Sequence, residues 1–277
     1  MNDIPWSFHT HSAYCDGSGT LEEVLQSAID SGLNDLGFSS HAPLPFETDW
    51  TMKPERLESY RNEIRDLRER FGNRLNIWLG AELDYLPTPG VRRFQQDELF
   101  WAGFDYFVAS VHFLGGRDSS RAFDGTEEEF MAILQDDYRG EIREMTADYY
   151  QRLSHVPELP GAVIVGHLDV IKRWNATGTY FNDEEPWYRE QVEAALNALK
   201  YSGILVELNT AGWRKGLGEP YPAIWILERC RDLGIPVTVS SDSHVSDQLT
   251  WGFERAKELL ASLRIEPINP SSCITHR

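Results

Sequence analysis

The sequence predicts an α/β fold in which a parallel sheet is covered by helices. Short apolar runs alternate with longer amphipathic runs along almost all of the 277 residues. Most of the short runs are continuously apolar, as in Phe107–Ala109 and Val163–Val165, which is typical of strands buried on both faces. No Ser- or Gly-rich linker and no repeat of fixed period divides the chain. We therefore expect a single domain over residues 1–277, built as a parallel barrel or as a doubly wound sheet.

Seven runs have the composition and length of strands. In chain order they are Ser7–Thr10, Asp35–Ser39, Leu75–Ala81, Tyr106–Val111, Ala162–Gly166, Ile204–Leu208 and Pro236–Ser240. The spacing of apolar residues predicts helices over Leu21–Ser31, Lys53–Phe71, Glu127–Leu153, Glu184–Ser202, Tyr221–Leu233 and Asp247–Leu263. Thr20 with Glu23 predicts a capping box at the start of the first helix, and Gly140 predicts a break in the long third one.

The charge balance excludes several classes of partner. The chain has 26 Lys and Arg against 44 Asp and Glu, a net charge of −18. Because such a surface repels phosphate backbones and anionic lipids, we expect neither nucleic-acid polymers nor membranes among its partners. No apolar run approaches the ~20 residues that span a bilayer. Residues 1–12 lack the basic and apolar regions of a signal peptide, so we expect a cytoplasmic protein.

Histidines and carboxylates recur where the predicted strands end. His9 and His11 close the first strand, His41 follows the second, Glu82 the third, His112 the fourth, His167 the fifth, and Asp242 and His244 the seventh. In a parallel barrel the carboxyl ends of all strands face one side, so these side chains are expected to converge in one pocket. Asp16, shortly after the first strand, completes the set. His155 and His276 fall outside the pattern and receive no functional role.

This set of residues predicts a metal centre. The three cysteines have no CxxC spacing, so neither a disulfide framework nor a thiolate zinc site is expected. Nitrogen and carboxylate ligands suit zinc, iron or manganese. His9 and His11 are two residues apart on a strand end, so both side chains point to the same face. The candidate ligands are too many for one ion, and we expect two or three divalent ions that together activate a water and clamp a phosphoryl group.

Several short motifs extend this pattern. His9-Thr10-His11 with Asp16 is followed by Gly37–Pro43, Gly80–Glu82, Ser110–His112, Val165–Asp169 and Ser241–His244. In this order they resemble the motifs of the polymerase and histidinol phosphatase (PHP) family. Glu207–Lys215 with Glu219–Pro222 is similar to the histidinol-phosphate phosphatase branch rather than to the polymerase-associated one. The resemblance implies a distorted (β/α)7 TIM-like barrel with the metal site at the carboxyl ends of the strands.

The resemblance also implies how the ligands are shared among the ions. The first ion would be held by His9, His11, Glu82 and Asp242, the second by Glu82, His112 and His167, and the third by Asp16, His41 and His244. Glu82 would then bridge the first two ions. This role has independent support, because a carboxylate has two oxygens and spans two ions more readily than an imidazole does.

The implied activity is a phosphomonoesterase that hydrolyses L-histidinol phosphate to L-histidinol and phosphate, in histidine biosynthesis. The expected nucleophile is a hydroxide that bridges two ions, so no Ser or Cys nucleophile is needed. Asp242 and His244 are both candidate proton donors to the leaving alcohol. Arg214 is the candidate phosphate clamp, because its planar fork matches two oxygens at once.

Further side chains are candidate substrate contacts. Besides Arg214 they are His41, Lys172, Arg173, Asn209 and Glu207, with Lys172 where the family pattern leads us to expect an Arg. Glu207, Asp169 and Asp84 are candidate partners for the ammonium group of histidinol phosphate. Phe46, Trp50, Trp174 and Trp213 either stack on its imidazole or cover the mouth of the barrel.

Two other functions remain compatible with the residues. A phosphoesterase acting on another small phosphate ester, or on a nucleotide phosphodiester, would use the same metal centre. A non-catalytic metal-binding module is disfavoured, because a degenerate member would lose ligands and this chain keeps all of them. Metal-dependent turnover of p-nitrophenyl phosphate distinguishes the module from either enzyme.

Overall fold

Seven parallel strands form one sheet in chain order. They are Trp6–Ser7, Asp35–Phe38, Asn76–Asp84, Tyr106–Ser110, Ala162–Val165, Leu205–Asn209 and Val237–Ser240. This computed structural model describes residues 3–90, 97, 101–115 and 121–274. The sheet returns on itself, because Thr10 pairs in parallel with Ser243 and the N–H of His11 donates to the Ser243 carbonyl at 2.8 Å. The fold is therefore a nearly closed barrel, as the resemblance implied, and not an open doubly wound sheet.

All seven predicted strands are present. The first ends at Ser7, three residues before its predicted end at Thr10, and the largest extension lies in the third. It runs for nine residues to Asp84, three beyond the predicted end. The strand pairs with Asp35–Phe38 at its start and with Tyr106–Ser110 at its end, so two neighbours at different heights extend it. This extension carries Glu82 and Asp84 on a regular strand, which gives their side chains defined directions.

Helices cover the barrel between the strands. They span Leu21–Asp30, Leu57–Phe71, Glu127–Asp136, Ile142–Ser154, Pro186–Leu199, Ala211–Arg214, Ile224–Leu233 and Phe253–Leu263. Short 3₁₀ turns span Pro54–Arg56, Val156–Glu158, Val170–Lys172, Ser246–Gln248 and Pro270–Cys273. The capping box of Thr20 and Glu23 is confirmed. The predicted break is confirmed as well, with Arg139 and Gly140 both at positive φ.

Three predicted helix starts were wrong. The helix predicted from Lys53 begins at Leu57, after the 3₁₀ turn Pro54–Arg56. The last helix begins at Phe253 and not at Asp247, because Gly252 adopts φ +78° and interrupts the preceding turn. The helix predicted from Tyr221 begins at Ile224, because Tyr221 exchanges backbone hydrogen bonds with Asn209 in an antiparallel bridge. At Tyr221 a contact with a distant strand takes the segment that local spacing assigned to the helix.

A two-stranded antiparallel ribbon, Phe113–Leu114 with Arg121–Ala122, was not predicted. Its strands are too short to show alternation in the sequence. The buried guanidinium of Arg152 donates to the carbonyls of Phe113 and Gly115, both at 2.9 Å, and holds the ribbon against the helix Ile142–Ser154. The ribbon follows the fourth barrel strand directly and therefore lies at the carboxyl end of the barrel.

The barrel interior below this end is filled by Tyr106. Its hydroxyl donates to the carbonyls of Phe8 at 2.9 Å and Phe38 at 3.1 Å, which ties three strands together. A Cβ at Gly37 or Gly80 would lie 2.3 Å from the Tyr106 side chain, so both positions require glycine. In the described part of the chain, no helix combines the length and apolar character needed to cross a membrane.

Candidate metal centre

Glu82 lies at the centre of the predicted ligand set. Its Oε2 is 3.2 Å from His9 Nε2, 3.4 Å from His11 Nε2 and 3.0 Å from His41 Nδ1. These three histidines come from the ends of the first two strands and Glu82 from the third. Three imidazole nitrogens thus converge on one buried carboxylate oxygen, which is the arrangement expected around a cation.

The second oxygen of Glu82 faces different groups. Oε1 is 3.1 Å from His167 Nε2 and 3.6 Å from His112 Nε2, and it accepts a hydrogen bond from Ser110 at 2.6 Å. Gly166 permits this approach, because a Cβ there would lie 2.3 Å from the Ser110 hydroxyl. The two oxygens of Glu82 therefore face two histidine sets, as a bridging carboxylate requires.

Asp242, Asp16 and His244 complete the cluster on one side. Asp242 Oδ1 lies 3.2 Å from His11 Nε2, and Asp16 Oδ2 lies 3.4 Å from His244 Nε2. His244 also stacks on the His11 ring, with centroids 4.0 Å apart. The ligand atoms form four groups compatible with a metal ion: His9, His11 and Glu82; His9, His167 and Asp242; His41, Glu82 and His112; and His11, Asp16, His41 and His244. All nine predicted ligands occur in these groups.

The chemistry of these donors fits divalent ions. His9 Nε2, His11 Nε2, His41 Nδ1 and Glu82 Oε2 are buried and have no hydrogen-bond partner. Leaving a buried polar group unsatisfied costs ~1–3 kcal/mol, and here four such atoms meet at one point. Two cations would satisfy all four, one held by His9, His11 and Glu82 and the other by His41, Glu82 and His112. Two residues of the set, His167 at φ +23° and Asp242 at φ +50°, also have positive φ, a strained conformation for residues with a Cβ that is concentrated at functional sites.

The electrostatics of the cluster attract positive charge. Burial alone would raise the pKa of the Glu82 carboxyl, but the imidazoles of His9 and His41 outweigh it and hold the pKa well below the usual range. Asp242 behaves in the same way, since burial is outweighed by His9 and His11. Both carboxylates are therefore ionised at neutral pH, as metal ligands must be.

Behind the ligands lie carboxylates that orient the imidazoles. Glu207 contacts His9 Nδ1 at 3.0 Å and accepts hydrogen bonds from the His167 N–H at 2.6 Å and from the side chain of Asn209 at 2.8 Å. Asp84 contacts His112 Nδ1 at 2.9 Å. Such contacts leave Nε2 of His9 and of His112 directed at the metal centre.

Three sequence-based expectations are corrected by these contacts. Glu207 and Asn209 are fully buried, their polar atoms are engaged with protein groups, and neither is among the described residues that line the cavity, so the structure places them behind the ligands. Asp84 is likewise engaged with His112 and does not serve an ammonium group. Spacing along the chain could not reveal this, because whether these side chains face the cavity or the interior depends on the barrel.

The predicted role of Lys172 as a substrate contact is also corrected. Its buried ammonium lies 3.0 Å from Asp169 and 2.6 Å from Glu219, and Lys172 is not among the described residues that line the cavity over the metal centre. Asp169, proposed as an ammonium partner, is itself fully buried and also accepts from the Ala223 N–H at 2.9 Å. Lys172 and Asp169 therefore link two loops of the barrel and do not contact substrate.

A cavity of about 730 Å³ opens above the metal centre. Among the described residues, its cationic lining consists of Arg173, Arg214 and Lys215 besides the histidines. The half-buried Arg214 donates to the carbonyls of Ser241 at 3.1 Å and Asp242 at 2.9 Å, so part of its fork holds the loop that carries Asp242. The structure thus brings the predicted Arg173 and Arg214 to the pocket. Lys215 lines it as well, which the sequence did not indicate.

Other residues of this lining were missed too. Asp49, Asp124 and Glu129 line the cavity, together with Trp50, which the sequence analysis had singled out. No local pattern marks Asp124, because it reaches the cavity only through the unpredicted ribbon. The desolvation of Lys215 within the concave pocket, with Arg173 and Arg214 nearby, lowers its pKa.

Comparison with known proteins identifies the family. The model of the PHP domain family matches residues 7–211. The chain belongs to the PHP domain family. The match spans all but the last two of the predicted ligands, Asp242 and His244, which follow it in sequence and complete the same cluster.

Individual members of the PHP family are similar over nearly their full length. A protein of Deinococcus radiodurans named a probable histidinol-phosphatase is 33% identical over 252 residues, 90% of this chain and 89% of its own length. The crystal structure of a candidate histidinol phosphatase from Listeria monocytogenes aligns with TM-score 0.80 and 26% identity, covering 90% of this chain and 99% of that one. The histidinol phosphate phosphatase of Lactococcus lactis, complexed with zinc, L-histidinol and phosphate, aligns with TM-score 0.68 and 20% identity over 96% of each chain.

Proposed function

We propose that this PHP-family protein is a metal-dependent phosphomonoesterase that hydrolyses L-histidinol phosphate to L-histidinol and phosphate, a step of histidine biosynthesis. The observation that carries the proposal is Glu82, whose two oxygens face two sets of imidazoles and whose buried Oε2 accepts no hydrogen bond from the residues that the structure describes. The similarity to the Deinococcus radiodurans histidinol-phosphatase over 90% of the chain supports the substrate.

Two or three divalent ions (zinc, iron or manganese) are proposed to bind here. The proposed ligands are His9, His11, Asp16, His41, Glu82, His112, His167, Asp242 and His244. Zinc is the ion in the Lactococcus lactis structure. When bound, such ions activate a water at neutral pH and neutralise charge on a phosphoryl group. His9 and His112 can hold their positions during turnover because Glu207 and Asp84 fix their second nitrogens.

The remaining groups of the pocket act on the substrate in this proposal. Arg173, Lys215 and the free part of the Arg214 fork surround the phosphate, since a guanidinium matches two phosphate oxygens at once. His244 is the candidate proton donor to the leaving alcohol; Asp242, the other candidate from the sequence, is ionised and serves as a ligand. His41 lines the cavity beside the other ligands. The polar groups of Arg173 form no ion pair with other described residues, so it is available for an anion.

The experiment that tests the proposal is phosphate release from L-histidinol phosphate beside other small phosphate esters and a nucleotide phosphodiester, on enzyme of measured metal content. We expect two or three ions per chain, a strong preference for L-histidinol phosphate, and complete loss of turnover after chelation that zinc or manganese restores. Broad, weak turnover with the same metals would favour another phosphate ester. No turnover at any metal loading would favour a non-catalytic module.

The remaining expectations stay proposals. The net charge of −18 supports the absence of nucleic-acid polymers among the partners, which a binding assay with duplex and single-stranded DNA tests. We also propose that residues 1–277 act as a single catalytic domain in the cytoplasm. Limited proteolysis and cell fractionation test these two points.

A further inference from the structure

The cavity above the metal centre carries charges of both signs. Arg173 and Lys215 supply positive charge for a phosphate, yet Asp49, Asp124 and Glu129 line the same cavity and belong to none of the metal-binding groups. Carboxylates beside an anionic substrate weaken its binding by Coulomb repulsion. Their presence is explained when the substrate also carries a positive charge.

We propose that Asp124 is the specificity-determining residue of this pocket and binds the ammonium group of a zwitterionic phosphate ester, with Trp50 against the flat ring of the same substrate. The inference rests on the proposed phosphatase function and deepens it, because it names the chemical class that the pocket selects. Asp124 takes the role of ammonium partner that the sequence suggested for Glu207, Asp169 and Asp84. The structure shows those three carboxylates in contact with other protein groups.

The backbone places Asp124 over the metal centre. The N–H of Phe123 donates to the carbonyl of His112 at 3.1 Å, so the strand that leads to Asp124 is tied to a metal-ligand candidate. Arg152 fixes the other strand of the ribbon from below. The half-buried Asp124 side chain forms no hydrogen bond or ion pair with the residues that the structure describes.

Asp124 and Lys215 are opposite charges in one cavity that do not neutralise each other. Both line the cavity and each influences the other electrostatically, but within the described ranges they form no ion pair at 4 Å or less. A ligand with an anionic and a cationic end satisfies both groups together. A simple phosphate ester satisfies only Lys215.

Trp50 supplies a flat apolar surface beside these charges. It stacks on Phe113, with centroids 5.4 Å apart and planes inclined by 22°, and lies edge-on to His41 at 4.6 Å. These contacts fix the indole next to the metal centre. A second cavity of about 350 Å³, lined by Trp50, Phe113 and Glu129 among others, shares this wall and leaves room for an aromatic substituent.

The first test is the selectivity of Asp124→Asn. The ratio of kcat/KM for L-histidinol phosphate to kcat/KM for p-nitrophenyl phosphate, which has no ammonium group, should fall by about 10- to 100-fold, the range for loss of a hydrogen bond to a charged group. Glu128→Gln is the matched control: it removes the same charge from the adjacent helix outside the cavity and should leave the ratio unchanged. Equal losses on both substrates, or no loss on either, would overturn the proposal.

A binding experiment separates recognition from chemistry. Calorimetric titration of metal-loaded enzyme with L-histidinol, which has the ammonium group but no phosphate, should show about 10- to 100-fold weaker binding to the Asp124→Asn variant. Titration with inorganic phosphate should show no weakening. Unchanged L-histidinol affinity together with reduced turnover would make Asp124 a catalytic group and contradict the inference.

The failure of this inference is distinguishable from failure of the proposed function. If the wild-type enzyme hydrolyses p-nitrophenyl phosphate but not L-histidinol phosphate, the proposed substrate is wrong. The matched pair 2-aminoethyl phosphate and 2-hydroxyethyl phosphate then decides the role of Asp124. A wild-type preference for the amine that Asp124→Asn abolishes supports it, and equal use of both esters by the wild type overturns it.

Discussion

Two buried charged clusters lie in the same barrel, and they differ in how far the protein's own groups satisfy them. The Glu82 cluster, formed by the nine candidate metal ligands, leaves five buried donor or acceptor atoms without a hydrogen bond to any described residue. The Lys172 cluster, formed by Asp169, Lys172 and Glu219, leaves a single such atom, Asp169 Oδ1, and places one ammonium between two carboxylates at 3.0 and 2.6 Å. Both occupy loops at the carboxyl ends of strands, where sequence reasoning assigned function to both. The contacts assign a metal centre to the first and a structural link to the second.

The largest expected effect comes from breaking the first cluster at its centre. Glu82→Gln removes the charge shared by two histidine sets and replaces an acceptor oxygen with a donor. We expect metal content to fall by at least one ion per chain and kcat/KM to fall about a thousandfold, because the charge stabilisation by the lost ion is worth several kcal/mol. Metal analysis and steady-state kinetics on the same sample measure this. Near-normal turnover would show that Glu82 is not the bridge.

Arg214→Ala probes the edge of the same cluster. Loss of a charge-assisted contact to phosphate should raise KM and lower kcat/KM by about 10- to 100-fold. Since Arg214 also donates to the carbonyls of Ser241 and Asp242, metal content must be measured together with the kinetics. A fall in metal content without a change in phosphate affinity would assign Arg214 to the loop alone and remove it from the phosphate site.

Glu207→Gln tests whether the metal centre depends on its supporting contacts. Glu207 holds His9 Nδ1 and the His167 N–H, and a neutral amide holds them less well. Variants at such positions lose about 10- to 100-fold in metal affinity, which a competitive chelator titration measures. A variant that binds metal as tightly as the wild type but no longer turns over L-histidinol phosphate would return Glu207 to the substrate contacts.

The smallest expected effect on catalysis comes from the second cluster. Lys172→Met leaves the carboxylate of Asp169 buried without its counter-charge, so the free energy of unfolding should fall by about 3–5 kcal/mol. Activity per folded molecule should persist, because Lys172 is not part of the cavity lining. Urea denaturation and kinetics below the transition measure the two quantities, and the double variant Asp169→Asn/Lys172→Met should recover part of the stability. Loss of activity in a fully folded variant would contradict the structural assignment.

Much of the metal centre could be predicted because its ligands follow the strands in sequence. The barrel brings all strand ends to one side, so His9, Glu82 and His167 needed only the correct number and direction of strands to converge. The same reasoning failed for the residues that contact the ligands from behind. Glu207, two residues before Asn209 in the sixth strand, lies on the interior side of the ligands, and that depth is set by the packing of neighbouring strands.

The sequence alone indicated the seven barrel strands, the helical cover, the candidate metal ligands and the family, because each depends on residue types at short spacing along the chain. Only the tertiary structure decided which charged groups face the cavity. Lys172 and Arg173 are adjacent in sequence, yet one is neutralised inside the protein and the other lines the pocket. Asp124 reaches the pocket only because an antiparallel ribbon folds back on the fourth strand. Such outcomes depend on contacts between distant segments, which set the burial and the counter-charge of each side chain. Local sequence patterns do not indicate these contacts.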